Sequence, residues 1–237
     1  MTKRVLIILN IILVIALIAM AVQEKYPERL QDKYASFKSN EPLYLKNRNY
    51  KVQMDLYQRY QQKGRIVMLG NSITGGVDWN ELLGRDDVIN RGIDNDITAG
   101  FLARMAYTYN VEPDLCFIMG GVNDLHAGIP AETIAANLAQ AVNELREHGI
   151  KPIISSILYV TSPYPDLKRF NRSVKHTNTL IQAMCVDLEV EFVDLNSVLA
   201  PDGVLLDAYS LDGIHLTGAG YAKWREVLLP IIDRELD

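Results

Sequence analysis

The sequence predicts an α/β domain built on a five-stranded parallel sheet with helices on both faces. Three observations predict it. Five short apolar runs recur between Arg65 and Leu195. Stretches whose apolar residues repeat at helical spacing separate those runs, and this alternation is the pattern of βαβ units. The chemically distinctive residues directly follow the runs, and parallel sheets bind ligands outside the carboxyl ends of their strands.

The chain has 237 residues. Residues 1–22 are set apart from the domain. Lys3 and Arg4 precede an apolar run from Val5 to Val22 that only Asn10 interrupts. A charged start followed by an apolar run is the signature of export. Ala19-Met20-Ala21 resembles a small-x-small cleavage site, which would make the run a signal peptide cut after Ala21. The run is also just long enough to cross a hydrocarbon core of about 30 Å, which would make it an uncleaved N-terminal anchor. Either way the domain is expected to be exported, periplasmic or extracytoplasmic, with any membrane contact made through residues 5–22.

Residues 23–63 are polar, with Pro27 and Pro42, and read as a stalk and lead-in. Val52, Leu56 and Tyr60, with Tyr57 beside them, predict a helix over Asn49–Gln62 that ends near Gly64. Tyr44, Tyr50, Tyr57 and Tyr60 would also suit a carbohydrate platform, but a packed helix accounts for them more simply.

Residues 64–237 carry the alternation. The expected strands are Arg65–Leu69, Val88–Arg91, Leu115–Met119, Pro152–Leu158 and Glu191–Leu195. The expected helices are Trp79–Leu83, Thr98–Tyr109, Pro130–His148, Asn171–Leu188 and Gly218–Leu236. Pro130 suits a helix start, where its missing N–H costs nothing. Tyr159 to Pro165, rich in Pro and Tyr, is equally a lining of the substrate cleft or a plain loop.

Composition narrows the function. Hydrophobic content of 49% and charged content of 22% are ordinary for a globular chain. A net charge of -5, without a basic stripe, gives no footprint for nucleic acid. Two cysteines are too few for a disulfide framework. Cys116, in an apolar run, and Cys185, in a helical pattern, read as buried thiols. No His/Cys cluster has ligand spacing, so no metal or cofactor is expected.

Four strand-end motifs carry chemistry. Gly70-Asn71-Ser72 follows the first strand, and Ser72 is equally a nucleophile or a helix cap on this motif alone. Asp212-Gly213-Ile214-His215 lies near the end of the chain. Its spacing lets Asp212 reach the Nδ1–H of His215, as in the orienting arm of a serine triad. Gly92 follows the second strand and Asn123 the third. The Gly92 and Ser72 N–H groups and the Asn123 amide could supply three donors to an oxyanion.

Together these motifs resemble the SGNH (GDSL-type) hydrolase family. Gly70-Asn71-Ser72-Ile73-Thr74 is similar to its first block, Gly92 to its second, Gly121-Val122-Asn123-Asp124 to its third and Asp212-Gly213-Ile214-His215 to its last. The likeness spans Ile66 to Pro230. Asn90-Arg91-Gly92-Ile93, the stretch from Asp96 to Arg104, and His215 to Tyr221 look most like the branch of platelet-activating-factor acetylhydrolase subunits and bacterial carbohydrate O-acetylesterases. The resemblance implies a flavodoxin-like three-layer αβα domain and a serine esterase. Ser72 would be nucleophile, His215 base, Asp212 its orienting acid, and Ser72, Gly92 and Asn123 the oxyanion donors. It implies short-chain, acetyl-type esters of a glycan or small molecule as substrates. Lysophospholipase or thioesterase activity, or a non-catalytic anchored binding protein, are the alternatives. Two departures stand out. Asn71 replaces the Asp of the family name, and Ile93-Asp94-Asn95-Asp96 stands where a Gly pair usually precedes the Asp. Asp94 and Asp96 are therefore expected as two carboxylates at the rim of the substrate pocket, where they would either alter the acyl or alcohol pocket or disfavour anionic substrates.

Overall fold

The structure is a computed structural model that describes residues 40–236 and six separate positions before them. The expected export segment, residues 1–22, lies almost wholly outside the described residues, as does its cleavage or retention. Among the described residues no helix is long and apolar enough to cross a membrane. Leu43–Asp237 form one compact unit.

Two helices open that unit, α1 (Leu43–Lys46) and α2 (Arg48–Arg59). The expected sheet follows, with all pairings parallel. Its strands are β1 (Ile66–Gly70), β2 (Val88–Gly92), β3 (Leu115–Met119), β4 (Lys151–Ser155) and β5 (Glu191–Val193), in the order β2-β1-β3-β4-β5. Every residue of β1 and β3 is buried. Strands covered on both faces need apolar side chains at consecutive positions, which is why these runs do not alternate. The intervening helices are α3 (Ser72–Gly75), α4 (Trp79–Leu83), α5 (Thr98–Ala103), α6 (Ala106–Tyr109), α7 (Val122–His126), α8 (Ala131–Glu147), α9 (Leu167–Asp187), α10 (Asn196–Leu199) and α11 (Gly218–Leu236). Trp79 of α4 meets Trp224 of α11 edge-on, with ring centroids 5.0 Å apart.

The strand order reverses direction between β1 and β3, which is the switch point where such sheets hold ligands. The register keeps the strand ends level there: Gly70 pairs with Gly92 on one side and Met119 on the other. The loops after β1, β2 and β3 therefore leave the sheet together.

Several boundaries differ from the sequence reading. β4 ends at Ser155 rather than Leu158, because asparagine side chains take over the next backbone groups. Asn178 pairs with both the N–H and the carbonyl of Ile157, Asn196 Oδ1 accepts from Tyr159 N, and Asn171 pairs with both groups of Val160. The segment stays buried without being a strand. β5 stops at Val193, short of Leu195. The helix expected over Thr98–Tyr109 is two helices, and the break falls at Arg104, whose side chain is fully buried. α9 starts at Leu167, before the expected Asn171.

Helix α2 is packed against the domain. Tyr50 and Tyr57 form a small cluster with Ile93, the residue after β2, and Tyr60 is 70% exposed. Asn47 Nδ2 donates to the Asp94 carbonyl at 2.7 Å.

Candidate active site

The turn after β1 removes the helix-cap reading of Ser72. The side chain of Asn71, not of Ser72, caps α3, accepting from Ile73 N at 3.0 Å. The Ser72 hydroxyl is left for another partner, and His215 Nε2 lies 3.0 Å from it. Gly70 precedes this turn because a Cβ there would lie 2.0 Å from Thr74 Oγ1.

His215 comes from the loop before α11. Its Nδ1 is 2.7 Å from Asp212 Oδ2. With a carboxylate facing Nδ1, the proton belongs on Nδ1, and Nε2 is the acceptor that faces Ser72. Asp212 Oδ1 accepts from the N–H groups of Ile214 and His215 at 3.0 and 2.9 Å. Burial opposes the charged form of Asp212, but these N–H groups and the imidazole outweigh it and bring the carboxyl down to about 2. The loop is braced by Leu211 N to His215 O and by Thr161 N to Gly213 O, both 2.8 Å. Gly213 has φ +98°, and a Cβ there would lie 2.7 Å from Thr161 O. Tyr221 of α11 donates to the Ile73 carbonyl at 2.7 Å, which ties the helix after His215 to the helix carrying Ser72.

Asn123 lies in the first turn of α7, and its Nδ2 donates to the Asp96 carbonyl at 2.9 Å. One amide hydrogen is spent on this bond and the second remains. Ser72 N–H opens a helix and so has no acceptor within it. The third expected donor, Gly92, is already engaged. Its N–H is committed to Asn90 Oδ1 at 2.8 Å, so it is not an open donor in this structure. The reason for glycine there is packing: a Cβ would lie 2.1 Å from Gly75 N, in the backbone of α3.

The family described as GDSL-like Lipase/Acylhydrolase matches residues 68–223. The chain belongs to that family. It is thus an enzyme acting on esters. A GDSL-like lipase from Bacteroides thetaiotaomicron superposes with a TM-score of 0.70 at 25% identity, covering 79% of this chain and 98% of that one. An acetyl xylan esterase from Geobacillus stearothermophilus shares the fold at 19% identity, with a TM-score of 0.60 over 75% of this chain and 99% of that one. Among curated proteins, N-acylneuraminate cytidylyltransferase of Streptococcus agalactiae is 29% identical over 101 residues, 43% of this chain. The match covers 24% of that protein, so this chain spans about a quarter of the relative's length.

The structure departs from the sequence reading at Asp96. This residue is fully buried, not at the rim. Its carboxylate accepts from Arg104 Nε at 2.8 Å and from Ile97 N at 3.0 Å. Burial pushes its carboxyl up, and Arg104 pulls against that. Arg104 also donates through Nη2 to the Gly70 carbonyl at 3.0 Å. One buried ion pair therefore joins the strand end before Ser72 to the carbonyl that orients Asn123. Asp94 is exposed.

Three further residues, Asp124, Thr98 and Asn137, are structural partners of the site that the sequence reading did not identify as such. Asp124 is fully buried and accepts from Thr98 N at 3.0 and 3.1 Å and from Thr98 Oγ1 at 2.5 Å. Asn137 Nδ2 reaches the same hydroxyl at 2.9 Å. Burial pushes the Asp124 carboxyl up to about 6, although the Thr98 bonds favour the charged form. A carboxylate and an arginine inside apolar helical stretches, at Asp124 and Arg104, were the available signal: such charges are buried only when paired.

Proposed function

We propose that this acylhydrolase cleaves short-chain, acetyl-type esters of a glycan or small alcohol through an acyl-serine intermediate. The unbroken hydrogen-bonded chain from Ser72 through His215 to Asp212 is the observation that carries the reading. His215 Nε2 takes the hydroxyl proton as Ser72 Oγ attacks the ester carbonyl. Asp212 holds the tautomer and offsets the charge of the imidazolium. The second Asn123 amide hydrogen and the Ser72 N–H meet the oxyanion, each donor contributing about 3 kcal/mol in the transition state. The imidazolium protonates the leaving alcohol. Water, deprotonated by His215, then releases the acid.

The short acyl group is supported by the acetyl xylan esterase among the structural neighbours and by a triad open to solvent, with His215 and Asp212 side chains 41% and 55% exposed. We read residues 1–22 as an export segment that delivers the enzyme to glycan esters outside the cytoplasm.

Nitrophenyl esters of increasing acyl length, with Ser72→Ala as control, test the proposal. The acetyl ester should turn over fastest, and Ser72→Ala should abolish turnover without changing the thermal unfolding midpoint. Unchanged turnover in Ser72→Ala would remove Ser72 as nucleophile. Faster hydrolysis of long acyl esters would replace the acetyl reading with a lysophospholipase one.

A further inference from the structure

A groove of about 970 Å³ lies between α9 and the loops after β4 and β5, and neither Ser72 nor His215 lines it. One wall is a face of α9. Lys168, Arg172 and Lys175 follow each other at i, i+4 and i+7, so they share that face at axial steps of about 6 and 4.5 Å. Among the described residues none of the three forms an ion pair. Exposed lysines and arginines elsewhere in the chain are often paired: Lys223 with Glu226, Arg59 with Asp55, Lys151 with Glu235. Three cations left unpaired along one groove are a local excess.

The opposite wall has another character. Tyr159 and Phe192 present half-buried aromatic surface, and the exposed Asp194 and Asp202 present carboxylates. The cations suit anionic groups. The carboxylates suit hydroxyl donors, and the rings suit the apolar face of a sugar. A lipid chain needs none of the carboxylates, and a neutral glycan none of the cations.

The groove borders the catalytic loop through one segment. Tyr159 lines the groove, and two residues later Thr161 N holds Gly213 O and Thr161 Oγ1 donates to Asp207 at 2.7 Å. Gly213 lies between Asp212 and His215. The geometry points to the groove as the seat of an anionic oligosaccharide, a chain bearing carboxylates as well as hydroxyls, whose ester is presented to Ser72. This rests on ester hydrolysis at Ser72 and adds the substrate class.

The test uses the full chain and the triple variant Lys168→Ala/Arg172→Ala/Lys175→Ala. The substrates are acetylated oligogalacturonate, acetylated xylo-oligosaccharide and p-nitrophenyl acetate. For the triple variant, KM on acetylated oligogalacturonate should rise about tenfold while kcat is kept. Turnover of p-nitrophenyl acetate should be unchanged. Binding of unacetylated oligogalacturonate to Ser72→Ala, followed by calorimetry, should weaken as salt is raised. An unchanged KM in the triple variant, or equal use of the neutral acetylated xylo-oligosaccharide by the parent enzyme, would overturn the proposal. Failure of the parent enzyme on all esters would sink the esterase reading alone, since the calorimetry on Ser72→Ala judges the groove without turnover.

Discussion

Ser72 lies between two unlike regions. Toward β2 and β3, the groups that hold Asn123 and the strand ends are sealed from water: Asp96, Arg104 and Asp124 are 0% exposed and Thr98 1%. Their partners are far apart in the chain, such as Arg104 with Gly70 and Asp124 with Thr98. Toward the C-terminus, Asp212 and His215 are about half exposed, and Asp212 is bonded within its own turn. The two regions have different tasks. An oxyanion donor must be in place before charge develops, and buried long-range bonds fix it without reorganisation. A base that passes protons between serine, leaving alcohol and water needs access to solvent, and short-range bonds suffice to keep its tautomer.

That contrast can be broken by substitution. His215→Ala should lower kcat by about 10⁴-fold or more while barely moving the thermal midpoint, since the half-exposed ring supports little packing. A large drop in the midpoint would transfer His215 to the structural side. Arg104→Met should do the reverse. It strands Asp96 as a buried, unpaired carboxylate and should cost roughly 3–5 kcal/mol in urea unfolding. A loss below about 1 kcal/mol would mean that the sealed region is not a frame. Asn123→Ala separates donor from frame: kcat should fall about 10²–10³-fold with stability near that of the parent. A stability loss matching that of Arg104→Met would make Asn123 part of the frame.

The smallest effect depends on pH. The Asp124 carboxyl is pushed up to about 6 from its ordinary 3.8. Between those values the folded chain keeps a proton that the unfolded chain has released. Asp124 therefore favours folding below about pH 4, and that contribution is lost as the pH rises through about 6, by on the order of 3 kcal/mol. Unfolding midpoints across that window should show the decline, and Asp124→Asn should flatten it. The carboxyl of Asp212, brought down to about 2, has the opposite sign and a much reduced weight, because its side chain is 55% exposed.

The same contrast decides what could be read from sequence. β1 and β3 were legible because burial on both faces leaves an uninterrupted apolar run, and Asp212 with His215 because their bond is local. Longer-range substitutions of one partner for another were not. Asp96 looked like a rim carboxylate because nothing near it announces Arg104. Gly92 looked like an open donor because its capture by Asn90 depends on a side-chain orientation. β4 looked longer because Pro152–Leu158 is buried throughout, while three asparagines from α9 and α10 replace its ladder past Ser155.

The tyrosine cluster of α2 has a consequence for inactivation by heat. Tyr50, Tyr57 and Ile93 form a patch separate from the main core, with the Arg91 guanidinium 4.2 Å from the Tyr57 ring centroid. A patch this small has a low free energy of local opening. When α2 lifts, it uncovers Ile93 and releases Asp94 from Asn47, and both belong to the turn that ends at Asp96. The enzyme should therefore stop working several degrees before its sheet melts, and should recover on cooling because the strands never parted.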